Sequence, residues 1–282
     1  KWRPRDFNEV VGQSHVVRTL KGALDAGQVF HAYLFSGPRG SGKTTLARLL
    51  AKGLNCEHGP TSDPCNECDN CRRISQGTSL DVIEIDGASN RGIDEVRDLR
   101  EKVRLAPARG RYKVYIIDEV HMLTTDAFNA LLKTLEEPPP HVVFVFATTE
   151  PNKVLPTILS RCQRFDFRRF GAHEIASQIR KVCRAEGFEL EDQAVTMLAQ
   201  HADGSMRDAL AMLEQCVLFA GDGRVDHKVV SEALGIAPLE QLRRFAEQIV
   251  RNDVVGNLIL IKELYDQGKD LRQFARDALE YF

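Results

Sequence analysis

Residues 37–44 read Gly-Pro-Arg-Gly-Ser-Gly-Lys-Thr, with Gly37 and Gly42 bracketing the loop and Lys43 and Thr44 following at once. The apolar run Tyr33-Leu34-Phe35 before it reads as a buried strand. Leu46, Leu49, Leu50 and Leu54 after it recur at helical spacing. Strand, glycine loop and helix in that order make a phosphate-binding loop. Its glycines let backbone N–H groups converge on an anion, and the helix N-terminus adds partial positive charge at the same point. Gly37, Pro38, Arg39, Gly40, Ser41, Gly42, Lys43 and Thr44 are therefore the expected cradle for a nucleoside triphosphate. Lys43 would reach its β- and γ-phosphates, and Thr44 would ligate Mg²⁺ through its hydroxyl. The other reading, a glycine turn before an ordinary core helix, requires the loop and both its flanks to match by coincidence.

A second stretch points the same way. Residues 113–119, Lys-Val-Tyr-Ile-Ile-Asp-Glu, form an apolar strand that ends in two acids. Asp118 would hold Mg²⁺ directly or through water, and Glu119 would polarise an attacking water. Phosphoryl transfer is mostly positioning and charge neutralisation, so a few such groups suffice. Taken alone, the pair also fits a surface turn after a strand. The fully apolar run 142–147 is another strand, ending at Thr148 and Thr149. The Thr149 hydroxyl would either feel the γ-phosphate or make a local turn bond.

Residues 80–86 and 164–167 read as further strands, with helices expected at Ile93 to Leu105 and 126–136. The run Pro138-Pro139-Pro140 stops the latter helix. Continuous apolar strands alternating with helices predict an α/β fold, a parallel sheet covered on both faces. Ligands in such sheets bind beyond the carboxyl ends of the strands, where the glycine loop, Asp118, Glu119 and Thr149 all fall.

Between loop helix and second strand stand Cys56, Cys65, Cys68 and Cys71, among the turn residues Gly59, Pro60, Pro64 and Asn66. Four close thiolates suit a closed, structural tetrahedral Zn²⁺ site, with Zn–S of ~2.3 Å. Disulfides and an iron–sulfur cluster are the other chemistries open to four cysteines. No charged-then-apolar leader opens the chain and no run of 18 apolar residues occurs. The expectation is thus a cytoplasmic, reduced protein with no membrane partner, which favours metal over disulfides. The net charge of −2 does not advertise nucleic acid, although a local basic surface can hide in a neutral total.

At the N-terminus, Arg3-Pro4 and Phe7 read as an extended segment, closed by Val10-Val11-Gly12. It would pack either against a nucleotide base or simply as the chain terminus. A helix follows, with Val16, Val17, Leu20 and Leu24 on one face. Beyond residue 171 the strand pattern gives way to four helical runs. Arg207 stands early on the third, as either a surface ion-pair partner or a functional cation. The 282 residues suit about two domains on length alone. The expected division is a nucleotide-binding domain over 1–170, with its cysteine insert at 56–71, a small helical lid over 171–236 and the start of a third helical domain over 237–282. Opening at Lys1 and stopping inside a helical pattern, the sequence is expected to be part of a longer chain.

Together these stretches resemble the AAA+ ATPases, in the clamp-loader branch of bacterial replication. The resemblance rests on Trp2-Arg3-Pro4, Phe7 and Val10-Val11-Gly12-Gln13, the loop at 37–44, the cysteine insert and Asp118-Glu119-Val120-His121. Residues 131–139, Ala147-Thr148-Thr149 and Ser160-Arg161-Cys162 extend it over essentially the whole chain. The resemblance implies that Thr149 is sensor 1, that Arg161 is an arginine finger reaching the ATP of a neighbouring subunit, and that Arg207 is sensor 2. It implies ATP, Mg²⁺ and Zn²⁺ as ligands. The implied partners are the delta and delta-prime subunits, further copies of the motor subunit, a sliding clamp and primer–template DNA. The delta-prime subunit is similar but has a degenerate loop, whereas Gly42-Lys43-Thr44 is intact here. Two rival readings share the loop and acids: a helicase or branch-migration motor, and a nucleotide-locked scaffold. The presence of Lys43, Glu119 and Arg161 speaks against the scaffold.

Overall fold

The structure, a computed structural model, describes residues 2–90, 92, 99, 101–221, 224–236 and 239–282. The chain divides into two compact units, residues 1–170 and 171–282.

The first unit is built on a five-stranded sheet: β1 (Ala32–Ser36), β2 (Val82–Asp86), β3 (Lys113–Asp118), β4 (Val142–Thr148) and β5 (Gln163–Asp166). The strand order is β2-β3-β4-β1-β5 and every pairing is parallel. Side chains alternate between faces along a strand, so a sheet buried on both sides needs unbroken apolar runs. Tyr33 and Phe35 of β1, with Val114 and Ile116 of β3, enter one core. There they meet Val16, Leu20 and Leu24 of α1 (Ser14–Asp25) and Leu46, Leu50 and Leu54 of α2 (Lys43–Asn55). Leu34, Tyr115 and Ile117 point the other way, into a core with Phe128, Leu131 and Leu135 of the helix Thr125–Glu136. The register aligns Ser36 with Thr148 on one side and with Asp166 on the other. It pairs Ile117 with Phe146, so the carboxyl ends of β1, β3 and β4 share one rim.

Two local arrangements depart from the sequence expectations. The N-terminal segment contains a 3₁₀ turn, Phe7–Glu9, because the Asp6 carboxylate accepts from Asn8 N at 2.8 Å and Glu9 N at 3.0 Å. That turn buries Phe7. The cysteine insert is not all turns: α3 (Asp69–Gln76) starts inside it, capped by the Cys68 sulfur accepting from Cys71 N. The helix expected at Ile93 to Leu105 lies largely outside the described residues, which include helical positions 99 and 101–103.

Buried polar groups tie these connections down. Lys52 of α2, 3% exposed, donates to Arg5 O at 2.8 Å and to Asn66 Oδ1 at 2.6 Å. It thus joins the N-terminal segment to the insert, and burial lowers its pKa. Asn55 donates to Tyr112 O and accepts from Arg111 N and Tyr112 N. Asp81, buried just before β2, accepts from Ala108 N, Arg109 N and Gly110 N at 2.6–2.8 Å.

The second unit is helical. Ala172–Glu186, Asp192–His201, Met206–Ala220 and His227–Ala233 bury Ile175, Ile179, Val195, Leu198, Leu213 and Val230. Leu239–Val250, Val254–Asp266 and Leu271–Tyr281 gather around Leu242, Leu260, Leu264 and Phe274. Ser205, Asp226, Asp253 and Asp270 each cap the helix that follows them, which explains where these helices start.

The Asp81 contacts give a stability prediction. Asp81→Ala leaves three backbone N–H groups without their acceptor, and each charge-assisted bond is worth about 1.5–3 kcal/mol. The expected loss is about 3 kcal/mol or more, read as a lower urea midpoint for the sheet-containing unit with unchanged denaturant slope.

Candidate functional site

The glycine loop leaves β1 at Ser36 and turns into α2 at Lys43. Gly37 has φ 149° and Gly42 has φ 99°, conformations that side-chain-bearing residues rarely adopt. Space excludes a side chain at Gly37 as well, since a Cβ there would lie 2.5 Å from Phe167 O. The loop is braced from within by Ser41 Oγ, which donates to Pro38 O at 2.7 Å. Lys43 is 6% exposed, and its Nζ donates to Gly37 O at 2.7 Å and Pro38 O at 2.8 Å. The ammonium therefore sits inside the turn formed by residues 37–43.

Thr44, on the first turn of α2, donates through Oγ1 to Asp118 Oδ2 at 2.8 Å. This contact joins the loop to the tip of β3. Glu119 takes the left-handed conformation, φ 46° and ψ 46°, uncommon for a residue with a Cβ. The chain turns sharply there, and Glu119 N donates to Asp118 Oδ1 at 3.0 Å. Thr149, just past β4, donates to Glu119 Oε2 at 3.1 Å. The residues read from the sequence as the loop, the acid pair and the threonine thus meet on one rim of the sheet. An oxygen pair such as Thr44 and Asp118 suits a hard divalent cation.

Arg161 lies elsewhere. It precedes β5, whose first residue, Gln163, pairs with Tyr33 in parallel register. It therefore belongs to the amino ends of the strands, opposite the rim that carries the loop. Its Nη1 donates to Thr157 O at 2.7 Å and its Nη2 pairs with Glu136 Oε1 at 2.9 Å. Arg161, Glu136, Phe30 and His31 line an open cavity at that end. Arg207 is the second residue of the helix Met206–Ala220, in the other unit, and is exposed.

Three residues around the loop carry more than the sequence reading assigned to them. Gln13, 7% exposed, donates through Nε2 to Arg168 O at 2.7 Å and Ser41 O at 3.3 Å. Its Oε1 accepts from Arg168 N at 3.1 Å. His121 Nδ1 lies 2.9 Å from Thr148 Oγ1, and Thr148 is fully buried. The available signal was a polar residue beside apolar ones: His121 stands between Val120 and Met122, and Thr148 ends the apolar run 142–147. Nothing in spacing distinguishes Gln13 from an ordinary helix-start residue.

The sulfurs of Cys56, Cys65, Cys68 and Cys71 all lie within 4.8 Å of one another, and none is in a disulfide. Cys56 Sγ and Cys65 Sγ are 3.6 Å apart and Cys65 Sγ and Cys71 Sγ 4.0 Å. A tetrahedral site with ~2.3 Å metal–sulfur bonds has sulfur separations of about 3.8 Å. Backbone N–H groups aim at the sulfurs: Cys65 N at Cys56 Sγ, Cys68 N at Cys65 Sγ and Cys71 N at Cys68 Sγ. The bond from Cys68 N is the main reason the Cys65 thiol is held down to about 6. Burial pushes the Cys71 thiol up.

The chain matches known proteins along its whole length. Residues 12–171 match the family described as "DNA polymerase III, delta subunit". Residues 174–222 match "DNA polymerase III clamp loader subunit, ATPase lid domain". The chain is 50% identical over 283 residues to DNA polymerase III subunit tau of Bacillus subtilis, covering all of this chain and 50% of that protein. It is 50% identical over 268 residues to subunit tau of Escherichia coli, covering 95% of this chain and 42% of that one. It is 41% identical over 281 residues to subunit gamma of Buchnera aphidicola, covering 78% of that protein. The chain thus spans about half the length of the first two relatives. In fold it is similar to the RuvB Holliday junction branch migration motor of Thermotoga maritima, with a TM-score of 0.63, 22% identity and coverage of 88% and 79% of the two chains. At that identity the likeness is one of architecture. By its sheet, its loop and its relatives, the chain belongs to the DNA polymerase III gamma/tau family of clamp-loader subunits.

Proposed function

We propose that this chain is the ATP-hydrolysing motor of a bacterial replicative clamp loader. In this reading it works with delta, delta-prime and further gamma/tau copies to open a sliding clamp and place it on primer–template DNA. One observation carries the reading: the bond from Thr44 to Asp118, with Thr149 on Glu119, brings loop, acids and polar strand tip to one rim.

The roles follow from that geometry. Residues 37–44 cradle the phosphates with backbone N–H groups, and Lys43 exchanges its loop carbonyl partners for β- and γ-phosphate oxygens. Thr44 and Asp118 would hold Mg²⁺, which when bound neutralises phosphate charge. Glu119 orients the attacking water, and Thr149 fixes the Glu119 carboxylate. Such positioning and electrostatic effects account for most phosphoryl-transfer catalysis. Arg161 would stabilise the transition state in a neighbouring copy. Its place at the amino ends of the strands supports action in trans, because this chain's own loop lies at the carboxyl ends. Arg207 would contact the γ-phosphate from the lid. The N-terminal stretch through Gly12 would pack against the base. Residues 237–282 would serve as the start of an oligomerisation collar.

ATP would act as a selector of states, since an assembly can be driven only by a ligand with different affinities for its two forms. Clamp and DNA binding must therefore differ between nucleotide states. RuvB, a branch migration motor, shares this architecture, so a branch-migration motor is the second reading; strand displacement by the pure chain would support it.

The four cysteines fit structural Zn²⁺. The sulfur spacing and the N–H groups aimed at the sulfurs favour it, and all four positions would be filled by protein. The metal would hold the insert against α2, where Arg111 donates to Cys56 O and to Glu57 O. Reduced thiols of this kind accord with a cytoplasmic setting. Among the described residues no helix is long and apolar enough to cross a membrane.

Three outcomes test this reading. Lys43→Ala should abolish nucleotide-dependent clamp loading in a reconstituted assembly, and normal loading would contradict the reading. Arg161→Ala should keep nucleotide affinity within about threefold while assembly turnover falls on the order of 10³-fold. Unchanged turnover would remove Arg161 from the finger role. Elemental analysis of unchelated protein should find about one zinc per chain, and a ratio near zero would count against the metal site.

A further inference from the structure

Just behind Glu119 lies a set of contacts that the roles above do not use. His121 has only 5% of its side chain exposed. Its Nδ1 lies 2.9 Å from Thr148 Oγ1 and 3.4 Å from Glu119 Oε2. Its Nε2 lies 3.4 Å from Glu150 Oε1. Thr148 Oγ1 accepts from Glu150 N at 3.0 Å. Glu150 also pairs with Lys153, whose Nζ lies 2.8 Å from Glu150 Oε2. Carboxylate oxygens thus face both ring nitrogens at 3.4 Å, Glu119 at Nδ1 and Glu150 at Nε2, while the Thr148 hydroxyl holds the ring from the third side.

The contacts run from Glu150 N to the Thr148 hydroxyl, from Thr148 to His121 Nδ1, and from the ring to the Glu119 and Glu150 carboxylates on either side. Glu119 Oε2 thus lies between the Thr149 hydroxyl at 3.1 Å and the His121 ring at 3.4 Å. Without the ring, the described contacts would leave that oxygen to Thr149.

We propose that His121 is a positioning residue for Glu119, its ring held by Thr148 and Glu150 so that the Glu119 carboxylate keeps one orientation towards the attacking water. This rests on the reading of Glu119 as the water-orienting group. The effect belongs to the hydrolytic step: nucleotide binding depends on the loop and Lys43, which His121 does not touch in the described contacts.

The test measures single-turnover ATP hydrolysis and nucleotide affinity side by side, in the reconstituted assembly containing full-length chains. His121→Ala should lower the hydrolysis rate at least tenfold while the dissociation constant for ATP changes less than threefold. Thr148→Val should lower the rate similarly, and the double variant should be no worse than the poorer single one, because the residues act as one unit. Thr148→Ser, which restores the hydroxyl, should recover most of the rate. If His121→Ala does not fold, His121→Asn with Thr148→Val carries the same comparison. Hydrolysis within twofold of wild type, or equal losses of rate and affinity, would overturn the proposal. If Lys43→Ala also leaves hydrolysis intact, the ATPase reading itself fails, so the two failures are distinguishable.

Discussion

The contact on which the site depends is the parallel register of β1 with β4 and of β4 with β3. Ser36 pairs with Thr148 and Ile117 with Phe146, so three strands end on one rim within about a residue of each other. The glycine loop, Asp118 and Thr149 come from segments roughly thirty to just over a hundred residues apart in sequence, and only this register brings them together. A shift of one residue in β3 would turn Asp118 to the opposite face and move the whole apolar set with it. Both faces are buried, so such a shift costs the packing of Tyr115 and Ile117 on one side and Val114 and Ile116 on the other. The two cores therefore fix the chemistry as firmly as the hydrogen bonds of the site do.

Much of this was legible in the sequence because it depends on local rules. A short apolar run of Val and Phe such as 142–147, entered from a proline-rich turn, favours a strand buried on both faces, and the glycines of the loop are needed at positive φ. The apolar faces of α1, α2 and the helix Thr125–Glu136 follow from the 3.6-residue period. What the sequence did not reveal depends on partners distant in the chain. Gln13 is a buried polar residue only because Ser41 and Arg168 arrive beside it. His121 and Thr148 face each other only once β3 and β4 are paired. The 3₁₀ turn at Phe7–Glu9 comes from an Asp6 cap, which competes with extended structure on equal terms in a short segment. The helix beginning at Asp69 was hidden because its cap is a cysteine sulfur.

Buried polar contacts also brace the connections around the site. Lys52, Asn55 and Asp81 each join chain segments that carry no regular structure, and each is buried. The cysteine insert leans on two of the same regions, through Asn66 to Lys52 and through Cys56 to Arg111. A metal on the four sulfurs would thus stiffen the outer side of α2, the helix whose first turn carries Lys43 and Thr44. Arg161 stands apart from all of this, at the far end of the sheet and paired with Glu136. The same parallel topology that assembles the loop and acids on one rim keeps this cation away from them. That separation is the physical basis for reading the site as one half of an interface.

Complementation between two defective copies tests that central claim most directly. Assemblies are prepared from Lys43→Ala chains, from Arg161→Ala chains, and from a mixture of both. A Lys43→Ala copy retains its Arg161 and an Arg161→Ala copy retains its loop, so an interface in the right order reconstitutes one complete site. The account predicts that the mixed assembly hydrolyses ATP well above either pure assembly. Turnover in the mixture no higher than in the two pure assemblies would contradict it.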